Sequence, residues 1–365
     1  MLRFKSLVSG LAFSLSFGLI SCQAASPSEI CQDLSTQLTA LHEDGKFDGL
    51  AVLAKEDKII CTIAQGNALM FEAVPFTEET RFRIASITKQ FTVATILKLW
   101  EEGKIDIDAN VATYMPQFMG KPAENVTIRQ LMEHSSGILP NIEFLRRSDV
   151  RENPIELAED FWDAPLEFEP GSQFDYSNSA YQLLGLLIEE VTGLDYGTAL
   201  QTYLFTPLGL ENTGTVSRGE IVEGLALGYE FKEDGYDVVD PYAEDTGPYA
   251  AGMMYSTVGD VVQWNHALYS GEVFKNDSTL GEMTQQRLET EDAPGVFSAY
   301  GLFRGNVTDR NIPTIYHDGG FGAFSATNRY FENSDVSMIF FDNASADEDT
   351  FSTLEQALID AAAQL

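Results

Sequence analysis

A serine and a lysine stand three positions apart at the start of a long helical pattern, as Ser86 and Lys89. One turn of helix would place the serine hydroxyl and the lysine amine on the same face. A serine hydroxyl attacks a carbonyl group only when a neighbour takes its proton, and an amine does so when burial keeps it partly neutral. The pair predicts nucleophilic catalysis, although such a spacing also arises by chance.

The residues after this pair are typical of an amphipathic helix that begins near Ser86. Apolar side chains recur at helical spacing over residues 93–100, and Gly103 ends the pattern. The unpaired backbone N–H groups at a helix N-terminus can bind an oxyanion. We therefore expect the backbone at Ser86 to stabilise the charge that forms when the hydroxyl attacks a carbonyl group.

A second motif, Tyr-Ser-Asn at residues 176–178, follows a Glu-Pro-Gly turn and precedes another helical run. A phenol and an amide two positions apart straddle this turn and can point into one cleft. Tyr176 would then relay a proton to a leaving group, and Asn178 would bind both the substrate and Lys89. The alternative is a buried tyrosine beside an asparagine that caps the helix.

A third motif, His-Asp-Gly at residues 317–319, is followed by Gly320 and lies between two strand-like runs. Glycines leave the backbone open to a ligand, and an edge strand here would offer an N–H group to the same oxyanion. The alternative is that the glycines only form a tight hairpin.

In this order and spacing, the three motifs resemble those of the penicillin-recognising serine hydrolases, which include class C β-lactamases, D,D-peptidases and family VIII-type esterases. Three further segments share the resemblance: Leu-Met-Glu-His-Ser-Ser-Gly-Ile at 131–138, Pro-Leu-Gly-Leu-Glu-Asn-Thr at 207–213 and Ala-Gly-Met-Met-Tyr-Ser-Thr-Val-Gly-Asp at 251–260. The similarity runs from about residue 48 to the C-terminus. It implies that Ser86 is the acylated nucleophile, Lys89 its proton acceptor, Tyr176 the general acid and base, and Asn178 an anchor for substrate and lysine.

The resemblance also implies that His317, Gly319 and Gly320 bind the substrate, and that the N–H groups of Ser86 and Gly320 form the oxyanion hole. His317 stands where many β-lactamases carry a lysine, and an imidazole is mostly neutral at pH 7. The missing cation favours peptidase, esterase or broad acyl hydrolase activity over efficient antibiotic hydrolysis. Tyr-Ser-Asn matches the class C and peptidase branch of the family.

The implied fold is α+β, of the β-lactamase and transpeptidase type: an antiparallel sheet flanked by helices, with a helix-rich insertion at about residues 104–230. The hydrophobic periodicity independently predicts helices at 28–44, 86–102 and 350–363, and strands at 50–54, 59–64, 300–305, 312–316, 323–331 and 336–342. We expect the late strands to be antiparallel neighbours that the first hairpin joins.

The N-terminus is typical of an exported protein. Arg3 and Lys5 precede an apolar stretch that suits a secretory signal over residues 1–21. The stretch ends in Leu-Ile-Ser-Cys, which resembles a bacterial lipoprotein processing box and implies lipid on Cys22 and a single hydrolase domain over 22–365. The alternative is cleavage near residues 24–25, which would release a soluble periplasmic or secreted protein.

Lipidation of Cys22 would leave Cys31 and Cys61 as an even pair in an oxidising compartment. A disulfide between them would attach the N-terminal helix to the first hairpin. Two buried free thiols are the alternative, because sequence spacing does not give the distance between them.

The composition of the chain and the absence of several known motifs argue against other classes of function. The formal charge of −34 repels nucleic acid and anionic lipid, so we expect no nucleic-acid partner and membrane contact only through a lipid anchor. The sequence has no His-Glu-x-x-His, Gly-x-Ser-x-Gly or phosphate-binding glycine motif, so we expect no cofactor. It leaves the oligomeric state open.

The sequence therefore predicts a serine hydrolase that forms an acyl-enzyme on Ser86. Its substrates would be small molecules or peptides with an amide or ester bond, such as a D-amino acid peptide, an ester or a β-lactam. The alternative is a catalytically silent envelope protein that binds peptidoglycan fragments or a protein partner.

Overall fold

The computed structural model describes residues 25–139, 163–216, 221–232, 235–239, 249–290, 293–307, 310–344 and 348–365. The predicted signal segment, the predicted lipidation site Cys22 and residues 140–162 of the predicted insertion lie outside these ranges. Within them, none of the helices has the length and apolar character that crossing a bilayer requires.

Helices and strands alternate in blocks along the chain. The α-helices are α1 (Pro27–Glu43), α2 (Thr88–Glu101), α3 (Ile128–Met132), α4 (Asn178–Thr192), α5 (Tyr196–Leu200), α6 (Thr206–Leu208), α7 (Val258–Tyr269), α8 (Asp277–Thr284) and α9 (Glu348–Ala362). The strands are β1 (Gly49–Lys55), β2 (Lys58–Gln65), β3 (Asn67–Leu69), β4 (Val74–Pro75), β5 (Phe82–Arg83), β6 (Gly214–Thr215), β7 (Gly228–Lys232), β8 (Gly235–Val239), β9 (Met254–Ser256), β10 (Phe297–Ser298), β11 (Phe303–Val307), β12 (Ile312–Phe321), β13 (Phe324–Phe331) and β14 (Val336–Asp342).

The largest sheet in the described part of the chain has the strand order β10-β11-β12-β13-β14-β1-β2. All neighbours in it are antiparallel. Strand β1 pairs with β14 over its full length, so the first hairpin of the chain completes a sheet that is otherwise built from its last third. The predicted α+β fold, the first hairpin and its place beside the late strands are confirmed.

Strand β1 explains why helices cover both faces of this sheet. Its apolar residues are buried without alternation, and successive side chains of a strand point to opposite faces. Leu50 and Val52 belong to the hydrophobic core that includes α2, α4 and α7. Ala51 and Leu53 belong to a second core that α1 and α9 close. The first of these two cores lies on the side of the sheet that carries the predicted nucleophile.

Strand β12 differs from the sequence prediction. The predicted strand ended at Tyr316, but pairing with β13 continues to Phe321 opposite Phe324. Gly319 and Gly320 therefore lie inside a strand, and the tight turn begins only at Gly322, whose φ is +55°. The strand is an edge only locally, because β11 pairs with it as far as Tyr316.

Cys31 on α1 and Cys61 on β2 are joined by a disulfide, with their Cα atoms 5.6 Å apart. The bond ties the helix that covers one face of the sheet to the outermost strand of that sheet. Both residues belong to or pack against the second core, beside Ile30 and Leu34.

We expect loss of this bond to lower the stability of the protein. The cross-link spans 30 residues, and closing such a loop is worth about 2–4 kcal/mol in the free energy of unfolding. The Cys31→Ala/Cys61→Ala double variant should lose about that amount in guanidinium unfolding. Wild type treated with a reductant should match the variant, and an unchanged unfolding midpoint in the reductant would contradict the expectation.

Candidate active site

The predicted nucleophile lies in a tight turn between a short strand and a long helix. Ser86 is the middle residue of a 3₁₀ turn, Ala85–Ile87, that follows β5 and leads directly into α2. Ala85 has a φ of +44°, a region that a residue with a side chain rarely adopts. The strained turn keeps the Ser86 side chain partly exposed although both neighbours are buried.

The Lys89 side chain, on the first turn of α2, is fully buried. Its Nζ donates hydrogen bonds to Ser86 Oγ at 3.1 Å, Asn178 Oδ1 at 2.8 Å and the Ala251 backbone oxygen at 2.7 Å. The Ala251 oxygen can only accept, and Asn178 Oδ1 is likewise an acceptor, so two of the amine protons are directed to them. When the amine loses its third proton, its lone pair points at Ser86 Oγ.

Burial lowers the pKa of Lys89 well below its usual value of 10.5, because the charged form loses its hydration. A larger fraction of the amine is then neutral near physiological pH. Lys89 thus combines the geometry and the basicity that a proton acceptor for Ser86 requires.

Tyr176 lies on the other side of the nucleophile. Its hydroxyl is hydrogen-bonded to the Ser86 side chain, and Lys89 Nζ lies 4.8 Å from the centre of its ring. Burial raises the pKa of Tyr176 above its usual value of 10. The group is therefore a neutral phenol at pH 7, which suits it to pass a proton on rather than to act as the resting base.

Asn178 is the first residue of α4, and the residue before it caps the helix. The Ser177 hydroxyl accepts a hydrogen bond from the Ala180 N–H at 3.1 Å. The asparagine side chain is thus not the cap, as the alternative interpretation required, and its oxygen is bonded to Lys89.

His134 borders this cluster and is 3% exposed, and its place in the site was not predicted from the sequence. Its Nδ1 accepts a hydrogen bond from the Ser177 N–H at 2.9 Å, and its ring stacks on Tyr176 with the centroids 4.5 Å apart. A lone histidine carries little signal, but its segment, residues 131–138, was already among those that resemble the family. The Ala251 carbonyl was also missed, because a backbone acceptor has no sequence signature.

Strand β12 passes close to the nucleophile at Gly319. A Cβ atom on this residue would lie 2.5 Å from the Ile84 oxygen and 3.2 Å from the Ser86 nitrogen. Gly320 follows on the part of the strand that β11 does not cover. The Ser86 and Gly320 N–H groups remain the predicted oxyanion hole.

The His317 imidazole is buried on the same strand, 2% exposed, with Nδ1 2.6 Å from the Asp318 oxygen. Burial, with a smaller effect from the Lys89 charge, lowers its pKa to about 3. The ring lies beside Phe303 and Tyr176, at centroid distances of 5.2 and 6.0 Å. The predicted substrate-binding histidine is therefore neutral at pH 7.

Together these groups fit nucleophilic attack on a carbonyl carbon. A hydroxyl contacts a buried amine and a neutral phenol, and a strand backbone lies alongside. Among the described residues, no cluster of histidine, cysteine and carboxylate side chains suits a metal ion.

Known proteins resemble this chain in sequence. It matches the family described as Beta-lactamase over residues 35–363. It is 27% identical to penicillin-binding protein 4* of Bacillus subtilis over 346 residues, 90% of this chain and 74% of that protein. It is 33% identical to esterase EstB of Burkholderia gladioli over 199 residues, 49% of each chain.

Several solved structures share the fold of this chain. A penicillin-binding protein from Bacillus halodurans superposes with a TM-score of 0.76 at 25% identity, covering 87% of this chain and 99% of that one. The D-amino acid amidase of Ochrobactrum anthropi superposes with a TM-score of 0.78 at 22% identity, covering 92% and 98%. The second likeness concerns the fold alone.

The Gly319→Ala variant should be folded but nearly inactive. Its methyl group would push β12 away from the Ser86 backbone, and a displacement of about 1 Å at a reacting centre costs about 100-fold in rate. The measurement is kcat/KM for an activated ester, with thermal unfolding to check the fold. Gly281→Ala on α8, where a Cβ meets no atom within 4 Å, is the matched control. Full activity of Gly319→Ala would show that the close approach does not matter.

The Lys89→Arg variant should lose about 1000-fold in acylation rate at every pH, because a guanidinium does not become neutral. In wild type, the rate should rise with pH through the lowered pKa of Lys89, since only the neutral amine accepts the Ser86 proton. Lys98→Arg is the matched control, because Lys98 is on the same helix and donates to the Val273 oxygen at 2.8 Å. A Lys89→Arg variant that kept the wild-type pH profile would exclude Lys89 as the base.

Proposed function

This chain belongs to the Beta-lactamase family, and we propose that it hydrolyses amide or ester bonds in small acyl donors. In general terms it is a serine hydrolase of the acyl-enzyme type.

One observation carries the proposal: the buried Lys89 amine is held by two carbonyl oxygens and points at Ser86 Oγ. A buried charge without an ionic partner is costly, and the other two acceptors of this amine are neutral carbonyl oxygens. Here its side-chain and backbone partners leave one position of the amine for the hydroxyl. This is the arrangement that activates a serine.

The reaction follows from these contacts. Ser86 Oγ bonds to the carbonyl carbon of the substrate while its proton moves to Lys89, and the oxyanion forms beside the Ser86 and Gly320 N–H groups. The bond to the leaving group then breaks, and the leaving group takes a proton through Tyr176. Water attacks the resulting ester on Ser86, and the same groups carry its proton in the reverse direction.

We favour D-amino acid peptides and simple esters over β-lactams as substrates. The neutral His317 supports this choice, because it supplies no cation at the position where many β-lactamases have a lysine. The relative named as an esterase is consistent with it.

We also propose that the protein is exported and anchored through Cys22. The disulfide between Cys31 and Cys61 supports export, because such bonds persist in oxidising compartments. The small-molecule or peptide substrate would then be met in the cell envelope.

The Ser86→Ala variant should lose all covalent labelling. Wild type incubated with a fluorescent penicillin or a phosphonate ester should gain the mass of one adduct, which intact-mass analysis detects. The variant should gain none, because the nucleophile is absent. Ser270→Ala, at the end of α7 and outside the site, is the matched control and should label like wild type.

Two results would count against the enzyme. Wild type that resists both reagents and cleaves no activated ester would refute acyl transfer. Binding of peptidoglycan stem peptides that is equal in wild type and Ser86→Ala would then favour the silent binding protein.

A further inference from the structure

Resting on the proposed serine hydrolase function, we propose that His134 is a positioning residue for Tyr176, and that it holds the phenol at the point from which a proton reaches the leaving group. His134 contacts the Tyr176 ring and the backbone on both sides of that residue. Its effect on the reaction therefore passes through the phenol.

Two hydrogen bonds to His134 hold the backbone around Tyr176. The His134 backbone oxygen accepts one from the Asp175 N–H at 2.8 Å, and its Nδ1 accepts the other from the Ser177 N–H at 2.9 Å. Both acceptors belong to one residue, so the backbone before and after Tyr176 is held in a single arrangement. This arrangement sets the direction in which the phenol side chain leaves the backbone.

The His134 ring can accept the second bond only in one protonation state. A backbone N–H always donates, so Nδ1 carries a lone pair and the proton of the neutral imidazole is on Nε2. The side chain is nearly enclosed, and this burial lowers the pKa of His134 well below its usual value of 6.5. The acceptor is therefore present at neutral pH.

The imidazole also packs against two tyrosine rings. Its centroid lies 4.5 Å from that of Tyr176 and 4.8 Å from that of Tyr181, with interplanar angles of 26° and 30°. Tyr181 is fully buried, and its hydroxyl donates to the Met132 backbone oxygen at 2.7 Å. The stack thus connects the phenol that contacts Ser86 to a ring that is fixed in the core.

The backbone of His134 has a conformation that few residues adopt. Its φ is +61°, in the left-handed region, which glycine and asparagine tolerate better than most residues. Strain of this kind is concentrated at sites where an exact position matters. Asparagine is therefore the replacement that this backbone accepts, and its Oδ1 is an acceptor at the same place along the side chain as Nδ1 of histidine.

Two esters separate a positioning role from a general contribution to folding. The leaving group of 4-nitrophenyl butanoate departs as a stable anion, whereas that of ethyl butanoate must be protonated as it leaves. A displaced Tyr176 hydroxyl should therefore lower kcat/KM for the ethyl ester much more than for the nitrophenyl ester. Loss of folded protein would lower both values equally.

A matched pair of amide variants tests the position of the acceptor. The readout is kcat/KM for the ethyl ester divided by kcat/KM for the nitrophenyl ester. His134→Asn keeps an acceptor in the place of Nδ1 and should keep the wild-type ratio. His134→Gln moves the same oxygen one bond outward and should lower the ratio about tenfold or more, since a displacement of about 1 Å at a reacting centre costs about 100-fold in rate.

Two further variants complete this comparison. His134→Leu has no acceptor and should lower the ratio as His134→Gln does, so it serves as the loss variant if the glutamine variant does not fold. His266→Gln on α7, outside the site, is the matched control and should keep the wild-type ratio. Thermal unfolding checks the fold of each variant.

A double-mutant cycle with Tyr176→Phe shows whether His134 acts through the phenol. Tyr176→Phe should lower the ratio by itself, because the hydroxyl is gone. In that background, His134→Gln or His134→Leu should have no further effect on the ratio, whereas two independent effects would multiply.

The failures are distinguishable. An unchanged ratio in His134→Leu, an equal loss on both esters, an asparagine variant that behaves like the loss variant, or a further loss in the Tyr176→Phe background overturns the role of His134 alone. Failure of wild type to cleave either ester, with no adduct on Ser86, overturns the proposed function as well.

Discussion

The site depends on keeping one amine away from water. Lys89 is fully buried, and its charged form gives up hydration that the protein replaces only in part, so the pKa falls. The same burial obliges every proton on the amine to find an acceptor. Asn178 and Ala251 provide two, which orients the third position toward Ser86. The lowered pKa of Lys89 and the direction of its amine toward Ser86 thus both follow from the burial of this side chain.

The fold has to bring three distant segments together to meet that constraint. The start of α2 carries the lysine, the start of α4 carries the asparagine, and a turn at residues 249–251 carries the carbonyl. Gly185 on α4 permits the last approach, since a Cβ there would lie 2.4 Å from Ala250 Cβ and 2.5 Å from the Tyr249 ring. The Thr92 hydroxyl, one turn along α2 from the lysine, donates to the Ala250 oxygen at 2.7 Å and fixes the turn from the other side.

How far the sequence predicted this site depended on the kind of atom involved. Ser86 and Lys89 were identifiable because their side-chain chemistry fits nucleophilic catalysis and two further motifs follow them in the chain, and the family resemblance that these motifs carry implied the antiparallel sheet. The Ala251 carbonyl could not be identified from the sequence, because every residue has a carbonyl group. His134 could not be identified either, because an isolated histidine fits a protein core equally well. The length of β12 was underestimated because glycine disfavours strands, whereas pairing with β13 overrides that preference.

Strand alternation accounts for the three residue types of the third motif. His317 and Gly319 share the face toward Ser86, where one supplies a polar ring and the other must lack a side chain. Asp318 points to the opposite face, where it accepts a hydrogen bond from the Thr327 hydroxyl at 2.8 Å and burial raises its pKa to about 6. Its backbone oxygen nevertheless orients the His317 ring. Asp318 therefore contacts the cleft through its main chain, while its carboxyl group is buried on the other face of the sheet, which α9 covers.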